Sequence, residues 1–143
     1  MPAPLIKALK AQHREILSLF DALAVYMAGE AVPTIEVMLN LKNLKALLLK
    51  HVELENKSLY PELNSAKDRK IRETAKIYSE GMLKIGQQVF AFFDQYLHLK
   101  VSELQINEKF KMDLKQINLI VAGRIKAEEK ILFPLYGKRT KYS

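Results

Sequence analysis

The stretch His51-Val52-Glu53-Leu54-Glu55-Asn56-Lys57-Ser58-Leu59-Tyr60-Pro61 returns in altered form as Arg124-Ile125-Lys126-Ala127-Glu128-Glu129-Lys130-Ile131-Leu132-Phe133-Pro134, 73 residues further on. The same shift carries Val37, Leu41, Leu44 and Leu48 onto Phe110, Leu114, Ile117 and Val121, and Phe20-Asp21 onto Phe93-Asp94. Apolar residues that recur at steps of three and four share one face of an α-helix. The chain therefore reads as one helix pair written twice. Such a repeat predicts a bundle with approximate two-fold symmetry, in which a polar residue on an inner stripe has a counterpart across the axis.

The same period runs outward from these stretches. Leu5, Leu9, Ile16, Phe20, Leu23 and Met27 form the stripe of a first helix, which Ala28-Gly29-Glu30-Ala31-Val32-Pro33 should end. Thr34 is the expected N-cap of the second helix. Tyr60-Pro61 and Phe133-Pro134 are expected to terminate the second and fourth helices, because proline removes a backbone donor and crowds the preceding turn. Between helices two and three, Asn64-Ser65-Ala66-Lys67-Asp68 forms a loop, with Ser65 and Asp68 at capping-box spacing. A third helix carries Ile71, Ala75, Tyr78, Met82, Val89, Phe93 and Tyr96, and Asn107 should cap the fourth. The aromatic run Phe90, Phe92, Phe93 and Tyr96 reads as core. No stretch alternates as a strand would. Four long helices joined by short loops predict an all-α, up-down-up-down four-helix bundle.

Composition agrees. The chain has 143 residues, 49% of them apolar, which suits one domain over 1–143 with a real core. It has no cysteine, so disulfides, thiol catalysis and cysteine-bound zinc are excluded. The net charge is +7, but its basic residues are spread along the chain, and only Lys138, Arg139 and Lys141 cluster. Scattered charge of this kind reads as solvated helix faces, not a nucleic-acid footprint. No apolar run approaches the roughly 20 residues that span a bilayer, and no leader-like segment is evident. The expectation is a cytoplasmic protein without membrane or nucleic-acid partners. A glycine-rich phosphate loop and a Ser/His/Asp set are both missing, so the expectation is also that it is not an enzyme.

Chemistry enters where the inner stripes stop being apolar. His13 lies four residues after Leu9 and three before Ile16, and so faces inward. His51 follows Leu48 by three, and Glu55 follows His51 by four, which places both on one stripe a turn apart. The 73-residue shift turns His51 and Glu55 into Arg124 and Glu128, and His13 into Gly86. Ionisable groups in a bundle core cost several kcal/mol each unless they are paired or bound to metal. Imidazoles and carboxylates that converge from different helices suit iron or manganese. Glu53 falls off the inner stripe, His98 falls beside its own, and Glu129 and Lys130 are assigned to a solvated face.

The arrangement resembles the hemerythrin-like, or HHE cation-binding, family of four-helix bundles. The resemblance rests on Gln12-His13-Arg14-Glu15-Ile16, on the 51–61 stretch and on its repeat at 128–134, and it covers about Leu5 to Tyr136. It implies a pair of non-haem irons held by one histidine from each helix and by two glutamates, with a position open to dioxygen, nitric oxide or a similar diatomic. Carried over, the metal ligands present are His13, His51, Glu55 and Glu128. Gly86 and Arg124 stand where the other two histidines belong. Glycine offers no ligand, and a guanidinium stays cationic and does not bind metal.

Three readings of the site remain open: a metal-free bundle, a single divalent cation held by some of the four ligands, and a full two-iron centre. Arg124 is expected to replace the missing metal charge by pairing with Glu55 or Glu128, with Gly86 giving it room. The competing functional class is a metal-free interaction module whose basic surface meets a protein partner.

Overall fold

The spacing that marks the inner stripes is realised as four antiparallel helices in the computed structural model, which describes residues 3–140. Helix α1 is Pro4–Ala28. Helix α2 covers 34–64 as an α-helical stretch Thr34–Leu54, a π-helical turn Glu55–Leu59 and a final turn Tyr60–Asn64. Helix α3 is Arg69–Leu97. Helix α4 covers 108–138 in the same three parts as α2: Glu108–Ala127, a π-helical turn Glu128–Leu132, and Phe133–Lys138. No strand occurs among the described residues. Lys141, counted above in the basic tail, lies outside them.

Each helix touches two neighbours, α1 with α2 and α4, and α3 with α2 and α4, which gives the four corners of a bundle. The stripes of α2 and α4 are buried as expected, from Val37 through Leu59 and from Phe110 through Leu132. In α1 the buried set is Ile6, Leu9, His13, Ile16, Phe20 and Leu23, so Ile6 takes the place given to Leu5, which is half-buried together with Met27. In α3, Tyr78 and Met82 are half-buried while Ile71, Ala75, Val89, Phe93 and Tyr96 are buried.

The 73-residue repeat extends to a feature that apolar periodicity does not carry. Both copies contain a π-turn, closed by bonds from Tyr60 N–H to the Glu55 carbonyl and from Phe133 N–H to the Glu128 carbonyl. Each turn stands just before the proline that was expected to stop its helix. Neither does. A proline ring collides with the carbonyl four residues earlier in a regular α-helix, and the extra residue of a π-turn widens the helix at that place. The chain thus stays helical to Asn64 and Lys138, and Leu63 and Phe133 join the core.

Two caps also differ from expectation. Thr34 is the first helical residue and makes no cap bond; Pro33 holds the N-cap position. Ser65 serves the end of α2, its hydroxyl donating to the Pro61 carbonyl, while Asp68 alone caps α3 by accepting from Lys70 N–H. Asn107 caps α4 as expected, accepting from Phe110 N–H.

The buried apolar residues divide into two clusters. One runs from Ile16 and Leu48 to the aromatic group Phe92, Phe93, Tyr96 and Phe110; the other gathers Ile6, Leu9, Leu59, Leu63, Ile71, Leu132 and Phe133. Between them in sequence on α1, α2 and α4 stand the buried polar residues, His13, His51, Glu55 and Glu128. A polar layer with apolar packing on both sides is shielded from water, which strengthens every interaction within it.

Candidate metal centre

All four residues expected to bind metal are buried, and they converge. His13, from α1, is fully buried, and its ring stacks on Phe133 at 5.3 Å between centroids. His51, from α2, has its ring centroid 4.5 Å from that of His13. The Nε2 atoms of the two imidazoles are 3.1 Å apart. Glu128 Oε1 lies 2.9 Å from His13 Nε2 and 3.5 Å from His51 Nε2. Glu55 Oε2 lies 3.4 Å from His51 Nε2. His13, His51 and Glu128 together offer one buried ligand atom each, all within 4.8 Å of one another.

The outer face of each imidazole fixes its tautomer. His13 Nδ1 is 2.7 Å from Glu129 Oε2, and His51 Nδ1 is 2.7 Å from Gln12 Oε1. A carboxylate and an amide oxygen only accept, so both Nδ1 atoms donate. In the neutral rings the proton is therefore on Nδ1, and both Nε2 lone pairs face inward. They meet the carboxylate oxygens of Glu128 and Glu55, so with both rings neutral and both carboxylates ionised acceptors would face acceptors. Only a cation or an added proton reconciles such a set. A ligating histidine whose other nitrogen is held by a carboxylate or carbonyl is also the usual support of a metal site.

Glu129 was assigned to the solvated face, and the structure corrects this. Sequence neighbours on an α-helix are roughly 100° apart, so one of two adjacent residues is expected inside. Here Glu128 and Glu129 both reach His13, one at each ring nitrogen, where the π-turn of α4 begins. The resemblance assigns no role to Gln12, which here bonds His51 Nδ1. Glu53 and His98 are exposed, as expected, and His98 donates to the Asp94 carbonyl.

Arg124 occupies the other side of Glu128. Its Nε donates to Glu128 Oε2 at 3.0 Å, and Nη2 donates to the Tyr60 hydroxyl at 3.0 Å and the Tyr78 carbonyl at 2.8 Å. The guanidinium also stands over the Tyr78 ring, 4.7 Å from its centroid. Of the two carboxylates considered, Arg124 pairs with Glu128. Gly86 was expected to give it room, but Gly81 does so instead. A Cβ at Gly86 would meet nothing within 4 Å, whereas Arg124 Nη1 lies 3.5 Å from where a Cβ on Gly81 would stand.

These contacts drive the carboxylates apart in acidity. Burial disfavours charge on Glu55 and outweighs the nearby His51, pushing its pKa up from 4.5 to about 7. Burial acts on Glu128 too, but its hydrogen bonds with His13, His51 and Glu55 and the Arg124 charge overcome it and hold Glu128 well below the usual range. Burial lowers the pKa of His51, yet Glu128 and Glu55 reverse that effect and lift it from 6.5 to about 9. Both oxygens of Glu55 are buried without a hydrogen-bond partner. Orphaned carboxylate oxygens are costly, and they fit a cation ligand. A small cavity of about 30 Å³, enough for one water, adjoins the site and is lined by Ile16, Leu48, His51, Met82, Arg124 and Glu128, among others.

The donor set therefore fits one divalent cation, with both imidazoles and Glu128 as ligands and Glu55 in reserve. It does not fit a second, because Gly86 supplies no donor and Arg124 brings positive charge. No helix among the described residues is long and apolar enough to cross a membrane. The family described as hemerythrin HHE cation binding domain matches this chain over residues 4–136. No curated protein and no solved structure matches it.

Proposed function

This chain belongs to the hemerythrin HHE cation-binding domain family, and on that premise we propose that it works as a non-enzymatic cation-binding bundle. The cation is a first-row transition metal such as iron or manganese, for a mixed imidazole and carboxylate set. His13, His51 and Glu128 would hold it, with Glu55 as a further ligand. Such a cation, when bound, supplies a Lewis-acidic and, for iron, redox-active centre inside a water-poor core. The protein's own contribution is to orient the imidazoles through Glu129 and Gln12, to split the acidities of Glu55 and Glu128, and to keep bulk water out. Sensing or storage suits a buried centre with one small cavity beside it, and a diatomic ligand is the largest partner that cavity suits.

The observation that carries this reading is the convergence of His13 Nε2, His51 Nε2, Glu128 Oε1 and Glu55 Oε2 in a buried layer, with each Nδ1 already engaged on the outer side. The test is titration of metal-stripped protein with Fe(II) or Mn(II), followed by calorimetry and elemental analysis. Parent protein should take up metal, and the double variant His13→Ala with His51→Ala should lose at least a hundredfold in affinity. Equal affinities would defeat the reading.

One observation favours the other class. Arg124 and a protonated His51 already supply positive charge to Glu128, so the core tolerates a metal-free state. On that reading the bundle is a scaffold whose basic surface meets a protein partner. Metal-stripped protein that ignores added Fe(II) and Mn(II) would decide for it.

A further inference from the structure

We infer that this chain holds a single cation, with the Arg124 guanidinium standing as a built-in second cation on the far oxygen of Glu128. The inference rests on the cation-binding reading above and concerns how many cations the core accepts and which residue sets that number.

Glu128 is the pivot. Its two oxygens face opposite ways, Oε1 toward the imidazoles at 2.9 Å from His13 Nε2, and Oε2 toward Arg124 Nε at 3.0 Å. A carboxylate used in this manner joins two positive centres. One is the cation expected at the imidazoles, and the other is the guanidinium, fixed in place by Tyr60, the Tyr78 carbonyl and the Tyr78 ring. Four contacts on a side chain that is 11% exposed make it an ordered part of the core rather than a surface arm.

The charge count points the same way. Three carboxylates, Glu55, Glu128 and Glu129, surround the centre. With all three ionised, as cation binding requires of its ligands, one divalent cation together with one guanidinium balances them. A second divalent cation beside Arg124 would leave two uncompensated positive charges there, a state that burial strongly disfavours. The donor inventory agrees, since neither Gly86 nor Arg124 can coordinate. Arg124 is thus a positioning and charge-setting residue that fixes the stoichiometry and moderates the affinity of the ligands beside it. A fixed positive charge on the shared carboxylate repels the cation on its other oxygen.

The test counts Mn(II) equivalents bound by parent, Arg124→His, Arg124→Gln and Arg124→Lys proteins, using calorimetry and elemental analysis after desalting, with helicity checked by circular dichroism. Parent should bind one equivalent. Arg124→His removes the fixed charge and adds an imidazole beside Glu128 Oε2, so it should bind a second. Arg124→Gln should bind the first equivalent at least about tenfold more tightly, because a positive charge near the cation has gone. Arg124→Lys keeps that charge and should stay near the parent value. If Arg124→His does not fold, the comparison of the Gln and Lys variants carries the test. Two equivalents in the parent would overturn the tethered-cation inference and leave the cation-binding reading intact. Equal affinity in the Gln and Lys variants would reduce Arg124 to packing and overturn it as well. No uptake by parent or any variant would defeat the cation-binding reading itself.

Discussion

Arg124 and Glu128 are four residues apart on one helix, an arrangement that on a solvent-exposed surface contributes only a few tenths of a kcal/mol. Here the side chain of Glu128 is 2% exposed, and the same pair carries different consequences. Removing one member of a buried pair leaves the other charged and unpaired, at a cost of about 3–5 kcal/mol. Arg124→Ala in cation-free protein should therefore lower the unfolding free energy by about 3 kcal/mol in a urea titration. A loss below about 1 kcal/mol, in the range of exposed pairs, would mean that Glu128 finds its compensation in His13 and His51 alone. That Arg124 would pair with a core glutamate was legible from the sequence, because an arginine occupied a position on an apolar stripe opposite a histidine of the repeat. Its resting place beside Gly81 was not. The flexible side chain reaches past the residue that symmetry assigns to it, and backbone spacing does not record where a guanidinium ends.

The π-turns at Glu55–Leu59 and Glu128–Leu132 explain both what the helices gave away in advance and what they concealed. Stripes such as Val37, Leu41, Leu44 and Leu48 obey the α-helical period, so the four helices and most of their buried faces could be read directly. A proline near a helix end ordinarily reads as a stop, and the sequence alone gives Pro61 and Pro134 that role. A widened turn lets the helix pass through, and nothing in a 3.6-residue period announces that turn. Glu129 was concealed for the same reason, since a residue next to an inward Glu128 belongs on the next face. The structure gives it a defined task, accepting from the fully buried His13. Glu129→Ala should leave His13 Nδ1–H unpaired and destabilise the protein by about 1–3 kcal/mol, measured by chemical unfolding. Asn56, the repeat counterpart of Glu129, is exposed, and Asn56→Ala should stay within about 0.5 kcal/mol of the parent. Similar losses in the two variants would deny Glu129 any special role in holding His13.

Across the bundle, the polar layer ties the stability of the fold to proton and cation together. Its membership was legible because His13, His51, Glu55 and Glu128 interrupt apolar stripes, and such interruptions in a core require compensation. Which compensation operates depends on pH. His51 has a folded-state pKa of about 9 against an ordinary 6.5, so the folded protein holds that proton more tightly than the unfolded chain. The stabilisation from this group is complete below pH 6.5 and is lost as the pH rises through 9. Glu55, raised from 4.5 to about 7, acts in the same direction over pH 4.5 to 7. Glu128 is depressed and acts in the opposite sense, withdrawing its contribution only as the pH falls below about 4.5. From pH 6 the remaining Glu55 contribution is lost by about pH 7, and that of His51 is lost from there to about pH 9. The whole-molecule charge complicates a direct comparison, because a chain with net charge +7 repels itself less as it approaches its isoelectric point near 9.5. His51→Gln provides the reference, since it keeps a polar side chain and removes the titration. Without cation, the stability of the parent relative to His51→Gln should decline from pH 6 to pH 9. With saturating Mn(II) the trend should reverse, because the cation needs unprotonated imidazoles and carboxylates and must displace the His51 proton. Thermal melts of both proteins at pH 6 and 9, with Mn(II) or with a chelator, make the comparison. The same pH trend with and without Mn(II) would separate the cation from this layer of the fold.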